Sequence, residues 1–432
     1  MTVASVRSAI ARLDVPQTAA RLSWGVVDQA VASASNFALS LYVAREFGPV
    51  TFGAFSLAFI TFTVILNASR GTATDPLLVR YSGATGAAWR NATAVASATA
   101  MMVGGVAGVG CVVVGLLLPQ PVGPAFIALG VLLPGLMLQD SWRFAFFAAG
   151  RPRAALLNDV VWTVLLLLGL AIVHQAAHWS DTVRVVLCLA AFGGTAAIAA
   201  IFGLYQTRVL PRPLGVSGWL REHRQLSFRY LLENVSATGA AQIRSSVLGA
   251  VAGIASVGYI RGAEILMGPF VVVLSGVSLV SVPEASRVFH RNSRRLPHFC
   301  AVLGGAQAVA ALAWGAVLLL VLPLGLGQLL LNEVWAPTSQ LIVPATLSVC
   351  AASFLTAVIA GLRATGAARR SLQAQLTFAS AFLLLGVLGA ILFGAPGVCW
   401  SGVLAISFGV VITSLQLRAA LADHHRSTQA VI

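Results

Sequence analysis

The sequence predicts an all-α polytopic membrane protein with about twelve transmembrane helices. Composition, periodicity and loop charge each point there. Of the 432 residues, 58% are hydrophobic and only 9% charged, with a mean hydropathy of +0.89. A soluble domain carries about 25% charged residues, so lipid must be the solvent for most of these side chains. The apolar runs are continuous and do not alternate with period two, which selects helices over a membrane barrel. Every second connection is rich in arginine and the others are nearly bare, which places both termini in the cytoplasm.

The first 22 residues hold Arg7, Arg12 and Arg21 but no long apolar run and no small-residue cleavage site, so they read as a cytoplasmic lead-in. Apolar stretches follow near 24–44, 52–70, 92–118, 124–147, 156–174, 184–206, 228–250, 257–281, 299–322, 338–361, 372–393 and 397–417. Each is long enough for a hydrocarbon layer of roughly 30 Å at about 1.5 Å per residue. The cytoplasmic connections hold Arg80 and Arg90; Arg151 and Arg153; Arg208, Arg212, Arg221 and Arg224; Arg287, Arg291, Arg294 and Arg295; and Arg363, Arg369 and Arg370. The tail 418–432 adds Arg418 and Arg426. The opposite set reads PQPVGP (119–124), HQAAHWSD (174–181), VAGIAS (251–256), an arginine-free stretch around Glu333, and GAPG (394–397), and only Arg45 beside Glu46 breaks the pattern.

The two halves read as repeats. Asp28 stands 25 residues before Gly53, and Glu233 stands 25 residues before Gly258. AAGRPRAAL (148–156) aligns with ATGAARRSL (364–372), matching Gly150 with Gly366, Arg153 with Arg369 and Leu156 with Leu372. Six spans per half is an even number, so the halves share an orientation and a pseudo-two-fold axis along the membrane normal. The expected lobes are 1–206 and 228–432, joined by a cytoplasmic linker 207–227 that lies on the membrane surface.

Charge placement and motif content exclude several functions. All 27 basic residues are arginine and the formal charge is +14, but the arginines sit in short loops, which the positive-inside rule explains without nucleic acid. The five cysteines are odd in number and form no CxxC pair, so neither a disulfide framework nor a zinc site is expected. No GxxxxGK[ST], HExxH or GxSxG elbow occurs, and no loop is long enough for a catalytic domain. The chain reads as a non-enzyme without cofactor or metal.

Polar residues within apolar stretches carry the functional signal. Gln29, Ser33, Asn36 and Ser40 form one helical stripe, and Asn234, Thr238, Ala241 and Ser245 repeat it at the same spacing. Both stripes are expected to face the gap between the lobes, although small-residue helix packing also suits Ser and Ala. Arg244 and Arg261 flank the short loop after the seventh span, and Glu264 shares the face of Arg261, where a local ion pair is the simpler reading. Arg244 is the deeper of the two and the better candidate for a phosphate. Asp28, Glu233, Asp140, Arg143 and Asp159 lie towards cytoplasmic span ends, and Asp140 is expected to pair with Arg143 three residues on. No histidine falls at mid-membrane, so a coupling proton or sodium ion would use carboxylates such as Asp28, Glu233 or Asp140.

The segment WGVVDQAVASASNFALSLYVAREFGPVTFGAFSLAF (24–59) resembles the start of bacterial oligosaccharide and polysaccharide flippases, and QDSWRFAFFAAGRPRAALLNDVVW (139–162) is similar to the link between their fourth and fifth spans. These flippases form the polysaccharide branch of the multidrug/oligosaccharidyl-lipid/polysaccharide exporter superfamily. The resemblance implies a V-shaped, MATE-like transporter of the bacterial plasma membrane, working by alternating access and in several cases ion-coupled. It implies a polyprenyl-(di)phosphate-linked glycan as substrate, with a glycan polymerase or glycosyltransferases as neighbours. Arg244 and Arg261, with Arg70 and Arg143 at the inner end, would supply cations to the diphosphate. Lipid II flippases carry two further spans, which disfavours that substrate, and a single working chain is expected. The competing readings are a drug/cation antiporter of the same superfamily and a non-transport scaffold. A major-facilitator transporter would need a glycine- and basic-rich signature that SRGTATDPLLVRYSG (69–83) lacks.

Overall fold

The computed structural model describes residues 15–81, 84, 86–175 and 178–429, and their regular structure is entirely helical. The chain runs through α1 (Val15–Glu46), α2 (Pro49–Ser69), a π-helical turn (Arg70–Thr74) and α3 (Asp75–Tyr81). It continues through α4 (Gly86–Leu117), α5 (Val122–Ala148), α6 (Pro152–Gln175) and α7 (Asp181–Thr207). The short α8 (Val216–Glu222) precedes the long α9 (Arg224–Ala252) and α10 (Ile254–Arg291). Then come α11 (Leu296–Val321), the short α12 (Leu326–Leu331) and α13 (Trp335–Ser339), α14 (Ile342–Ala364) and α15 (Ala368–Gln429). A non-helical backbone at Gly394 splits α15 into two limbs.

Among the described residues, eight helices are long and apolar enough to cross a membrane, with α2–α3 taken as one and α15 as one. The kink makes two limbs of α15. Helices α1, α9 and α10 have the length (32, 29 and 38 residues) but carry the polar stripes and buried charges that lower their apolarity. Every expected span therefore falls on a helix or a limb. The helices run past the expected ends, with α1 starting at Val15 inside the lead-in and α15 running through the tail to Gln429.

The repeat read at the fourth-to-fifth link has a local cause. Gly150 follows α5 with φ +67° and Gly366 follows α14 with φ +73°. Both stand where a helix ends in the left-handed conformation that glycine alone adopts without strain. Gly150 N donates to Phe147 O, and Gly366 N to Arg363 O, each at 3.0 Å.

Two compact units emerge from the packing. The first holds α1 as far as Asn36 with Ile65–Leu117 and Phe126–Leu232. Its core centres on Trp142, Phe146 and Leu138 of α5 against Trp89 and Ala92 of α4. The Trp142 indole donates to Ala200 O at 3.1 Å and lies over Gly203, where a Cβ would meet the ring at 2.4 Å. The residue one helical turn beyond Thr72 is Pro76, which has no N–H to give its carbonyl, and Trp219 of α8 supplies an indole N–H at 3.2 Å.

The second unit joins residues Phe37–Val64 to Glu233–Ile432, with Leu118–Ala125. Here α2 and α10 cross through their glycines. Each helix begins four residues before its glycine, at Pro49 and Ile254. A Cβ on Gly53 would fall 2.0 Å from the Ile254 carbonyl oxygen, and one on Gly258 would fall 2.9 Å from the Pro49 carbonyl oxygen. The contact is reciprocal, so the sequence repeat meets itself at this crossing.

Candidate functional site

Five charged side chains of the first unit come together in one cluster. Arg70, on the π turn, holds Asp140 of α5 through two hydrogen bonds at 3.0 and 2.6 Å. Arg143, one turn on from Asp140, reaches Asp28 of α1 at 2.6 Å and Asp159 of α6 at 3.4 Å. Its guanidinium also donates to Gln29 Oε1 at 3.1 Å. Asp140 and Arg143 thus do not pair with each other. Each finds its partner on another helix, because a bidentate or 2.6 Å contact across helices satisfies the fork better than the local i,i+3 geometry. Amides complete the cluster: Gln139 donates to Asp159 at 2.8 Å and to Asn158 at 3.3 Å, and Asn158 donates to Gln206 at 2.9 Å. Asp28 is fully buried and Asp159 nearly so.

The second unit holds Arg244, Arg261 and Glu264. Arg244 stands about 12 Å along α9 from its end at Ala252. Its aliphatic stem passes Gly386, where a Cβ would meet Arg244 Cδ at 2.5 Å, and its guanidinium stacks on Phe382 at 4.4 Å from the ring centroid. Among the described residues no carboxylate lies within ion-pair distance of it, and its buried Nε has no hydrogen-bond partner. Arg261 is different. It pairs with Glu264 at 3.1 Å, donates to Ser40 of α1 at 3.3 Å and lies over Phe59. Gln242 of α9 donates to Thr61 of α2 at 2.9 Å.

The polar stripes divide. Gln29 is exposed and donates to Ser33 at 3.2 Å, whereas Ser40 is buried against Arg261. Asn36 and Asn234 are half-buried on α1 and α9. Glu233 is on α9, with its side chain outside the described residues. Asp159, Gln139, Asn158, Gln206 and Phe382 belong to these sites, yet only Asp159 stood out in the sequence. The amides gave one signal, the spacing of Gln139 and Arg143 on one α5 face. Among the described residues no group of three or more His, Cys, Asp or Glu side chains could hold a metal ion.

No protein-family model and no curated protein matches the sequence. Solved structures do. An inward-facing multidrug resistance MATE family transporter of the MOP superfamily aligns with TM-score 0.72 at 15% identity, over 91% of this chain and 96% of that one. The fold is MATE-like. The lipid II flippase MurJ in its inward closed conformation aligns with TM-score 0.65 at 11% identity, over 91% and 87% of the two chains. A MOP superfamily transporter from Pyrococcus furiosus, described by the reverse polarity of its binding pocket, aligns with TM-score 0.61 at 15% identity, over 93% and 95%.

Proposed function

We propose that the chain is a membrane transporter that carries a lipid-linked oligosaccharide or polysaccharide precursor from the cytoplasmic to the outer leaflet of a bacterial plasma membrane by alternating access. The unpaired guanidinium of Arg244 carries this reading. An arginine within an apolar helix is costly unless it faces a partner or a ligand. Phe382 lies 4.4 Å from the guanidinium carbon, and the buried Nε has no hydrogen-bond partner within the protein. Paired in-plane donors match phosphate oxygens. A polyprenyl (di)phosphate supplies that anion, its tail staying in the bilayer while the sugar crosses. Arg261 adds a second cation, with Glu264 and Ser40 fixing its position. Arg70 and Arg143 are engaged by carboxylates and contribute less. No bond chemistry and no cofactor is required. The fold shared with a lipid II flippase supports a lipid-linked substrate. Arginine-rich connections support cytoplasmic termini.

A drug/cation antiporter is the second reading, favoured by the exposed carboxylate of Glu264 and the MATE-like fold. Arg244 would repel such a cation. The test is Arg244→Ala in the parent bacterium. Export of the cognate surface glycan is expected to stop while the protein accumulates in the membrane at its usual level. Normal surface glycan would remove Arg244 from the mechanism, and lost drug resistance with intact glycan would favour the antiporter.

A further inference from the structure

Arg244 reaches beyond its stacking ring. Its stem lies against Gly386 on the first limb of α15, and its Nη1 stands beside Gly402 on the second limb. A Cβ built on Gly402 would have two neighbours within 4 Å among the described residues, Ser348 Oγ at 3.7 Å and Arg244 Nη1 at 3.8 Å. Both atoms are hydrogen-bond donors. They come from different helices, Ser348 from α14 and Arg244 from α9.

Neither donor is spent on another polar group. A serine or threonine inside a helix commonly turns its hydroxyl back to the carbonyl one turn earlier. On α14, Thr346 does so to Ile342 O at 2.8 Å and Ser353 to Val349 O at 2.9 Å. Ser348 stands between them and makes no hydrogen bond among the described residues. Arg244 likewise makes no ion pair and no hydrogen bond among them. Both side chains are half-buried.

The glycine has no other explanation in its surroundings. Gly402 stands in helical backbone without a positive φ, so its conformational freedom is not used. No backbone crosses it closely, and a methyl there would meet its neighbours only at ordinary contact distances. What glycine does is leave the spot between two donors empty. An apolar group on that spot would give the donors no acceptor. A cation would be repelled by the guanidinium. A tetrahedral oxyanion offers each donor its own oxygen, at the length of about 2.7–2.9 Å usual for charge-assisted hydrogen bonds.

We infer that Gly402 is the floor of a single-phosphate subsite, in which Arg244 Nη1 and Ser348 Oγ donate to different oxygens of one phosphate group. Ser348 and Gly402 are then specificity-determining residues, the first by donating and the second by leaving room. That the phosphate belongs to a lipid-linked cargo rests on the transporter reading above; the subsite itself rests on the two donors and the glycine.

The full-length protein in phosphatidylcholine nanodiscs is titrated with farnesyl phosphate, with farnesol as the neutral control, and binding is read from the ligand-dependent rise in melting temperature. Farnesyl phosphate is expected to bind the native protein and farnesol to bind far less. Gly402→Ala is expected to melt with the native protein when no ligand is present, yet to bind farnesyl phosphate about tenfold more weakly. Ser348→Ala is expected to lose about tenfold as well. The farnesol response is expected to be the same in all three proteins, which a general loosening of the helices would not allow. Native affinity for farnesyl phosphate in either variant overturns the subsite. Should Gly402→Ala melt early, Ser348→Ala decides alone. Competition separates the sources of the phosphate. Displacement by inorganic phosphate, or by phosphatidylglycerol built into the disc, at the concentrations where farnesyl phosphate binds supports the subsite and overturns the lipid-linked cargo. Lost surface glycan in Arg244→Ala together with native farnesyl phosphate binding in Gly402→Ala refutes the subsite and leaves the transporter proposal standing.

Discussion

Replacing Gly53 by alanine tests the glycine crossing most directly. The added Cβ would sit 2.0 Å from the carbonyl oxygen of Ile254 and 2.8 Å from its carbonyl carbon. A carbon–oxygen contact is comfortable at about 3.3 Å, so α2 and α10 must part by about 1.3 Å. The obstacle is backbone, and no side-chain rotamer can relieve it. Overpacking of this kind costs about 1–3 kcal/mol. In water the better helix propensity of alanine would return up to about 1 kcal/mol. In a bilayer or detergent the separated helices stay helical, because no other structure satisfies their backbone, so that gain largely cancels.

The assay is thermal aggregation of the detergent-solubilised protein, followed by size-exclusion chromatography. Gly105→Ala in α4 and Gly194→Ala in α7 are the controls, since a Cβ at either meets nothing within 4 Å. Gly53→Ala is expected to melt earlier than both. Gly258→Ala is expected to cost less, its nearest obstacle being the Pro49 oxygen at 2.9 Å. The double variant should cost less than the sum, because helices already parted by one methyl accommodate the second. If Gly53→Ala melted with Gly105→Ala, the close crossing would not exist, and strict additivity would show that the two glycines do not share it.

Asp140→Asn leaves Arg70 buried beside a neutral amide and is expected to cost about 3–5 kcal/mol, discounted towards the lower figure because the arginine side chain is 26% exposed. The Arg70→Met/Asp140→Leu pair should restore most of that loss, and a double variant no more stable than Asp140→Asn would refute the pairing. Trp219→Phe keeps the ring but deletes the donor to Thr72 O, for an expected loss of about 1 kcal/mol by thermal denaturation. Unchanged stability in that variant would mean that Ser227, which also donates to Thr72 O at 3.4 Å, suffices alone.

Helices and their order were legible because a bilayer admits few alternatives. Hydropathy alone locates the runs, and Gly150 and Gly366 disclose equivalent helix ends because a left-handed backbone demands glycine in both halves. The crossing partner of Gly53 was not legible, though its repeat mate was. The offset between Gly53 and Gly258 says that two helices are alike, not that they touch. The charges divide in the same way. That Arg70, Asp140, Arg143 and Asp28 matter follows from their cost in lipid. Which carboxylate each guanidinium chooses depends on helix neighbours, and spacing alone suggested an Asp140–Arg143 pair that the packing replaces with two pairs between segments.

That failure sharpens the reading of Arg244. A charge in an apolar helix has to be matched, and across this fold most are: Arg70 by Asp140, Arg143 by Asp28 and Asp159, Arg261 by Glu264. Matching explains those residues without any ligand, so each is first a structural element. Two features escape it among the described residues. One is a surplus carboxylate in the first unit; the other is the guanidinium of Arg244 on its aromatic ring in the second. The second asks for an anion, and the phosphate of the proposed lipid-linked substrate is one.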